Sequence, residues 1–397
     1  MKIQSQRNIK ANIVFLLALS LIICSLSGCS QNKTPVDKKK EISKSGFAFN
    51  TTYTITLYDG GSKKLLDDCI DKCTEFENVF SRTLKGSELF YINEIESCYL
   101  KAISSDSKVK EMWDAGKVKY NKKQINNITA KINKTISPQN DKKFVIKKNG
   151  NIEIKVSELI SDIVEKGLFY SKLSDGAFDI TIEPVSSLWN FSSDKPKVPD
   201  KDKIKSAVNY IDYNKVKIDG TRLTFMKPGM GLDFGGIAKG FIADRLKVYL
   251  TDNGVKSGMI NLGGNILCIG KKSKEEDFNI GIQQPFGERN ETVASVHANN
   301  NSIVSSGIYE RYFKTKSGKI YHHILNPKTG YSYDNDLIAV TIISDKSVDG
   351  DGLSTTCFAL GLKKGMELIN RNDGVEAMFI TSDEKLHYSE GFENFMQ

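Results

Sequence analysis

Asp351 and Thr355 stand four residues apart at the start of a helical stretch, Asp349–Leu362 (DGDGLSTTCFALGL). That spacing sets a carboxylate and a hydroxyl on one helix face. Such a pair suits Mg²⁺ when phosphate oxygens and water complete the shell. The same residues also fit a plainer role, with Asp351 capping the helix and Thr355 half-buried, and Asp349 is a rival carboxylate. A second constellation is DFGGIAKG, in which Gly235 and Gly236 precede a helical turn between Asp233 and Lys239. Unpaired N–H groups and the positive end of the helix dipole favour an anion there. The third is His322-His323, just before the turn Asn326-Pro327-Lys328-Thr329-Gly330. In an extended strand only one of the two faces a given cleft, where it serves as a general acid/base or a purine contact, or else as a satisfied structural histidine. No P-loop, zinc motif or serine-histidine elbow is present.

The elements that must hold these groups read as alternating strands and helices. Leu223–Asn265 predicts strand, glycine turn, helix, then a strand ending at Gly263-Gly264, a further place for a ligand to approach bare backbone. Ile237, Phe241, Leu246, Tyr249 and Leu250 share one helix face, and Asn253-Gly254 is the stop. Upstream, Phe47–Tyr58 predicts a first strand and Leu65–Val79 a helix. Ser157 caps a helix running to Leu173, and Ser174–Thr181 (SDGAFDIT) leads into a strand carrying Asp179. Asn149-Gly150 and Asp219-Gly220 mark hairpins. Short strands follow Asn265, and Ala377–Thr381 with Lys385–Tyr388 form a closing hairpin. The stretch 94–141, rich in Lys, Asn and Ser, predicts a polar, solvated insertion.

The 397 residues give room for two lobes or one large domain, and the composition is that of a folded protein. The net charge of +8 comes without a basic stripe interleaved with aromatics, which argues against nucleic acid. Lys2, Arg7 and Lys10 precede the apolar run Ile13–Leu26, too short for a comfortable membrane span, and then Leu26-Ser27-Gly28-Cys29 resembles the bacterial lipobox. On that resemblance residues 1–29 are a lipoprotein signal peptide, Cys29 is lipidated, 30–46 is a tether, and the body 47–397 sits at the outer face of the cytoplasmic membrane. Past the leader, Cys69, Cys73, Cys98, Cys268 and Cys357 show no metal-binding or redox spacing.

Taken in series, SDGAFDIT, DFGGIAKG, NLGGN, SSGIYER, HHILNPKTGYS and DGLSTTCFALG resemble the ApbE family of bacterial FAD:protein FMN transferases. The resemblance runs from Phe47 to the C-terminus, apart from 94–141. It implies an α/β to α+β fold of mixed sheets with helices, in two interlocked lobes with FAD in the cleft between them. It implies Mg²⁺-dependent transfer of FMN from FAD to a threonine or serine hydroxyl of an exported redox protein, releasing AMP. Carried over by position, Ala177, Phe178, Asp179, Asp233, Lys239, His323 and Leu325 border the FAD. Gly236 through its carbonyl, Asp351 and Thr355 hold the metal with Ser354 close by, and His323 is the base. Phe49 and Asn50 stand where the family has Met-Gly, and Thr83 where it often has a flavin-facing Tyr. The same residues also fit an FAD pyrophosphatase yielding FMN and AMP, a non-catalytic flavin-binding lipoprotein, or a structural surface lipoprotein.

Overall fold

The computed structural model describes residues 41–136, 144–191, 193–288 and 290–396. Cys29, the signal peptide and the tether as far as residue 40 lie outside the described residues. The body begins earlier than expected, at β1 (Ile42–Ala48), which pairs antiparallel with β2 (Thr51–Asp59). The single strand expected from Phe47 is therefore a hairpin, turned at Phe49 and Asn50 with φ of 56° and 59°. Asn tolerates that left-handed conformation and Phe does not favour it, so no Asn-Gly signal marks the turn. In β2, Tyr53, Ile55 and Leu57 alternate into the core.

Helices α1 (Lys63–Phe80), α2 (Glu88–Ser104), α3 (Ser107–Asp114) and α4 (Lys122–Thr135) follow. They correct the reading of 94–141 as a solvated excursion. Up to residue 136 this stretch is mostly helical, and it buries Ile95, Tyr99, Ile103, Val109, Ile128 and Ile132 in the main core. Its Lys and Asn side chains take the outward positions, while Ile125, Ile128, Ile132 and Ile136 recur at helical spacing on the inward face. Asn121 and Gln124 close a capping box at the start of α4. Tyr99 donates to the Gly150 carbonyl at 2.6 Å, tying α2 to the next hairpin.

That hairpin is β3 (Phe144–Ile146) and β4 (Ile152–Lys155), followed by α5 (Glu158–Leu173), capped by Ser157 as read. The expected strand at Ser174–Thr181 does not form. The chain turns instead, because Asp179 Oδ1 accepts from the Thr181 amide and hydroxyl, a local bond that competes with extended structure. After α6 (Glu183–Ser186) and α7 (Lys201–Val208) come β5 (Val216–Asp219) and β6 (Arg222–Phe225), and then α8 (Ala238–Asp252). Strands β7 (Ser257–Leu262), β8 (Asn265–Ile269), β9 (Phe278–Gln283), β10 (Thr292–Ala298), β11 (Ser302–Gly307), β12 (Tyr312–Lys314), β13 (Ile320–His322) and β14 (Leu337–Ser344) follow. The chain ends with α9 (Ser347–Ile369), broken at Gly361, then β15 (Val375–Thr381) and β16 (Leu386–Tyr388).

The main sheet has eight strands in the order β1-β2-β7-β8-β11-β14-β15-β16, and a second has four, β3-β4-β6-β5. Among the described residues every strand pair is antiparallel, which puts the fold at the α+β end of the expected range. One apolar cluster runs from Ile55, Ile260 and Val340 of the large sheet through Leu246 and Phe358 to Ile154 and Leu223 of the small one. That shared core joins the large and small sheets.

Helices α8 and α9 cap each other. Asp244 in α8 accepts from the amides of Ser347 and Val348 at 2.8 and 2.9 Å, and Asp351 in α9 accepts from the Gly240 amide at 2.7 Å. A Cβ on Gly240 would lie 2.1 Å from the Ser347 carbonyl oxygen, so only glycine lets the two helices meet this closely.

If α4 belongs to the core, Ile132→Ala loses about 2–5 kcal/mol of stability in urea unfolding, the range for truncating a buried isoleucine. A change below about 0.5 kcal/mol would return this stretch to the surface.

Candidate functional site

The site forms where the glycine turn before α8 meets the second turn of α9 and the end of β11. Asp351 is almost fully buried and does not cap its own helix, so the plainer reading of its role is replaced by a different one. Its Oδ2 holds the α8 amide, and its Oδ1 accepts from Asn265 Nδ2 at 2.9 Å and faces Lys239 Nζ at 3.4 Å. Asp349 is spoken for elsewhere, accepting from the Tyr170 hydroxyl at 2.6 Å with Lys166 Nζ 3.8 Å away. Ser306 Oγ on β11 lies 2.8 Å from Ser354 Oγ and 3.4 Å from Thr355 Oγ1. Thr355 Oγ1 in turn lies 3.6 Å from where a Cβ on Gly236 would stand, and the Phe178 ring closes the same spot at 2.7 Å. Gly236, Phe178, Lys239, Asp351, Ser354 and Thr355 therefore converge.

One carboxylate, two hydroxyls and a bare glycine backbone suit a cation that shares its shell with phosphate. Among the described residues no group of three or more His, Cys, Asp or Glu side chains is placed to hold a metal alone. Mg²⁺ is commonly held by one or two carboxylates together with substrate phosphates. Lys239 adds a positive charge next to it.

The histidines separate cleanly. His322 ends β13, and its Nε2 donates to the Tyr333 carbonyl at 3.0 Å while the ring sits edge-on to Phe358. It is structural. His323 leaves the strand, its amide donating to the Arg311 carbonyl at 3.1 Å, and its buried Nδ1 has no hydrogen-bond partner among the described residues. Desolvation, helped by the nearby charges of Arg311, His322 and Lys239, pulls its pKa down to about 3, so the ring is uncharged at neutral pH.

Asp233 is held at the rim. Its Oδ1 accepts from the Gly235 amide at 2.9 Å, and its Oδ2 takes the Ser186 hydroxyl at 2.6 Å and Arg82 Nε at 3.0 Å. Burial pushes the neighbouring Glu183 carboxyl up to about 7, against the pull of Arg82 and with a further push from Asp233. Arg82 thereby anchors the segment that carries Thr83, which is itself exposed. Asn50 is joined to the His323 side of the site, its carbonyl accepting from Arg311 at 3.4 Å, while the Phe49 amide donates to Glu77. The Ala177 carbonyl accepts from the Tyr333 hydroxyl at 2.8 Å.

Two of the residues expected to border FAD have close partners within the chain. Asp179 spends Oδ1 on Thr181 and Oδ2 on the Tyr213 amide, so it braces its own turn. Leu325 is buried with Trp189 and Phe313 in a separate aromatic cluster. The Gly263-Gly264 pair closes the β7–β8 hairpin with φ of 60° and 91°; Thr51 lies against Gly263, while Gly264 is exposed with open space where a side chain would stand.

Asn265, Ser306, Arg82, Arg311, Glu183 and Tyr333 were missed. Asn265 and Ser306 sit inside the segments NLGGN and SSGIYER, which is the one signal available for them. Their partners lie 86 and 48 residues away along the chain.

The α+β frame gathers an aspartate, hydroxyls, a lysine and a glycine turn at a helix start, a donor set chemically suited to a phosphate. The description "ApbE family" matches residues 106–379, more than half of the chain, and the chain belongs to that family. It is similar to an FAD:protein FMN transferase of Klebsiella pneumoniae (strain 342), 36% identical over 236 residues, 59% of this chain and 72% of the relative. One of Treponema pallidum (strain Nichols) is 34% identical over 257 residues, 61% of this chain and 71% of the relative. Two solved structures share the fold at a TM-score of 0.69. They are the ApbE protein of Thermotoga maritima, 24% identical and covering 90% of this chain and 100% of that one, and the flavin transferase ApbE of Vibrio cholerae, 22% identical and covering 90% and 99%. The chain is an enzyme of this family.

Arg82→Ala frees the 82–87 segment, so its amides exchange with solvent faster. The global unfolding midpoint moves little, since a part-exposed ion pair contributes about 1 kcal/mol or less. Unchanged exchange there would remove Arg82 as the anchor.

Proposed function

We propose that this chain transfers FMN from FAD to a threonine or serine hydroxyl of an exported acceptor protein, releasing AMP, and that it works lipid-anchored through Cys29 at the outer face of the cytoplasmic membrane. The observation that carries the reading is the convergence of Gly236, Asp351 and Thr355 where α8 begins, next to Lys239, whose charge also reaches His323. Asp351, Thr355 and the Gly236 carbonyl would hold Mg²⁺, with Ser354 nearby. Bound there, the ion would neutralise the pyrophosphate and the charge developing on the AMP leaving group.

The chain's own groups do the rest. The α8 amides and Lys239 draw the pyrophosphate in, while Phe178 closes the apolar side of the pocket. Ala177, Asp233, Thr83, Phe49 and Asn50 line the approach for the remainder of FAD. His323 takes the proton of the acceptor hydroxyl, whose oxygen bonds to the FMN phosphorus as the bond to the AMP oxygen breaks. A positioned base contributes about 10²–10⁴-fold. His323 suits that part because it is neutral and, unlike His322, has no ring nitrogen bonded to the Tyr333 carbonyl.

The decisive test incubates the soluble form beginning at Ser30 with FAD, Mg²⁺ and a threonine-bearing exported redox protein, then measures the acceptor's intact mass. A gain of one FMN, abolished by EDTA and by Asp351→Ala, is the expected result. FMN and AMP with an unmodified acceptor would make the protein a pyrophosphatase, and intact FAD would make it a flavin-binding protein. His323→Ala should keep FAD binding and slow transfer about 10²–10⁴-fold; transfer at the normal rate would end the base assignment. Labelled palmitate should enter the full chain and not its Cys29→Ala variant.

The pH dependence has a definite sign. A base with a folded pKa of about 3 is already deprotonated at pH 5.5, so kcat/KM should show no acid limb near 6.5 from this group. Because the folded pKa lies below the unfolded one, the unfolded chain binds more protons between them. Wild type therefore loses stability relative to His323→Ala as pH falls from 6.5 toward 3, which paired thermal melts would register.

A further inference from the structure

Asp351 and Lys239 meet at one carboxylate oxygen, although the proposed reaction gives each a different task. Asp351 is 3% exposed, and both of its oxygens have protein partners. Oδ2 accepts from the Gly240 amide at 2.7 Å, which fixes the carboxylate against α8. Oδ1 accepts from Asn265 Nδ2 at 2.9 Å and meets Lys239 Nζ at 3.4 Å. The Asn265 amide is itself held, because its Oδ1 accepts from the Ser347 hydroxyl at 2.7 Å, with Ser302 Oγ 2.9 Å beyond. Asn265, Ser302 and Ser347 are all buried, so the row is closed to solvent. An NH₂ group therefore faces Oδ1, and one side of that oxygen is taken.

Lys239 is the movable partner. Its side chain is 29% exposed, and its contact with Asp351 is longer than the amide bonds on either side. It stands in the first turn of α8, next to the glycine turn, and its charge also reaches His323. A carboxylate oxygen offers about two acceptor directions. With Asn265 on one of them, a cation that approaches Oδ1 must take the direction that Lys239 now faces. Mg²⁺ binds oxygen at about 2 Å, so at Oδ1 it would lie within about 5.5 Å of the ammonium as placed. Two positive charges that close repel each other unless further negative charge joins them.

We propose that Lys239 and Mg²⁺ compete for Asp351 Oδ1, and that this competition couples cation binding to FAD binding. The inference rests on the metal and FAD assignments of the transferase reading. Displaced from Oδ1, the Lys239 ammonium turns to the glycine turn, where a pyrophosphate brings anionic oxygens. The dinucleotide thus gives Lys239 a second partner and frees Asp351 for the cation. The coupling is reciprocal, so each ligand raises the affinity of the other by the same factor. Lys239 holds the cation's place until the dinucleotide arrives. A merely structural ion pair has the opposite signature, since removing the lysine would loosen Asp351 and weaken the cation.

The test measures binding without turnover, on the full chain in detergent and with no acceptor present. Mn²⁺ affinity is read by electron paramagnetic resonance and FAD affinity by flavin fluorescence, each with and without the other ligand. Lys239→Met, which keeps the apolar stem, should tighten Mn²⁺ alone about 5-fold or more. The same change should weaken FAD in the presence of Mn²⁺ and shrink the coupling, while Lys239→Arg, which keeps the charge, stays near wild type. Loss of folding cannot imitate this result, because an unfolded chain binds the cation more weakly. Mn²⁺ affinity that is unchanged or weaker in Lys239→Met would overturn the proposal. So would unchanged Mn²⁺ affinity in Asp351→Asn, which would take the cation away from Asp351. A wild-type chain that shows the expected coupling and loads no acceptor strikes the transferase reading and leaves the competition standing.

Discussion

The reciprocal capping of α8 and α9 is the constraint on which the site depends. Each helix begins with amides that no turn of its own can satisfy, and each receives a carboxylate from the other. Hydrogen bonds to charged groups contribute about 1.5–3 kcal/mol each, and here they also fix the position of one helix start against the other. The contact requires a glycine at position 240, where the Ser347 carbonyl occupies the space of a side chain. Because α8 begins there, the Gly235-Gly236 turn is held within reach of Thr355. Burial pushes the Asp244 carboxyl up to about 6, a penalty that its two backbone bonds partly offset.

The charges around this contact are arranged in balance. Asp351 is buried and meets Asn265 and Lys239, while Asp233 at the rim meets Arg82 and Ser186. An anion arriving at α8 thus finds aspartates already facing a basic partner, Asp351 with Lys239 and Asp233 with Arg82, at the positive end of the helix dipole. His323 completes the arrangement as the group that stays uncharged among positive neighbours. Burial is the main cause of its lowered pKa and the charges of Arg311 and Lys239 add to it, while the same two charges favour a phosphate ligand.

Much of this was legible in the sequence, and the limits have physical causes. Helices with a polar cap and an apolar stripe, such as Glu158–Leu173 behind Ser157, were readable because their signals are local. The glycine turn before α8 and the Asp351–Thr355 spacing were readable for the same reason. The stretch 94–136 was not, because its Lys and Asn content hid isoleucines at helical spacing, and composition weighed more than periodicity. The hairpin at Phe49-Asn50 was missed because Phe at positive φ is no turn signal. Asp179 was placed in a strand because its bond to Thr181 is a side-chain event that apolar alternation does not register. The partners Arg82, Asn265 and Ser306 come from distant parts of the chain, and only packing brings them in.

Two plain alternatives for Asp351, helix cap or metal ligand, turn out not to exclude one another. The carboxylate caps a helix, but it is the helix of its neighbour, through Oδ2 alone. Oδ1 is left facing Lys239 and Asn265, on the side where Gly236 and Thr355 also lie. A carboxylate anchored by one oxygen cannot rotate to suit each ligand, so its second oxygen is preorganised toward a fixed point. Such fixed donors reorganise little when charge develops on a substrate. The mutual capping that holds the two helices together is therefore also what aims the acid of the site.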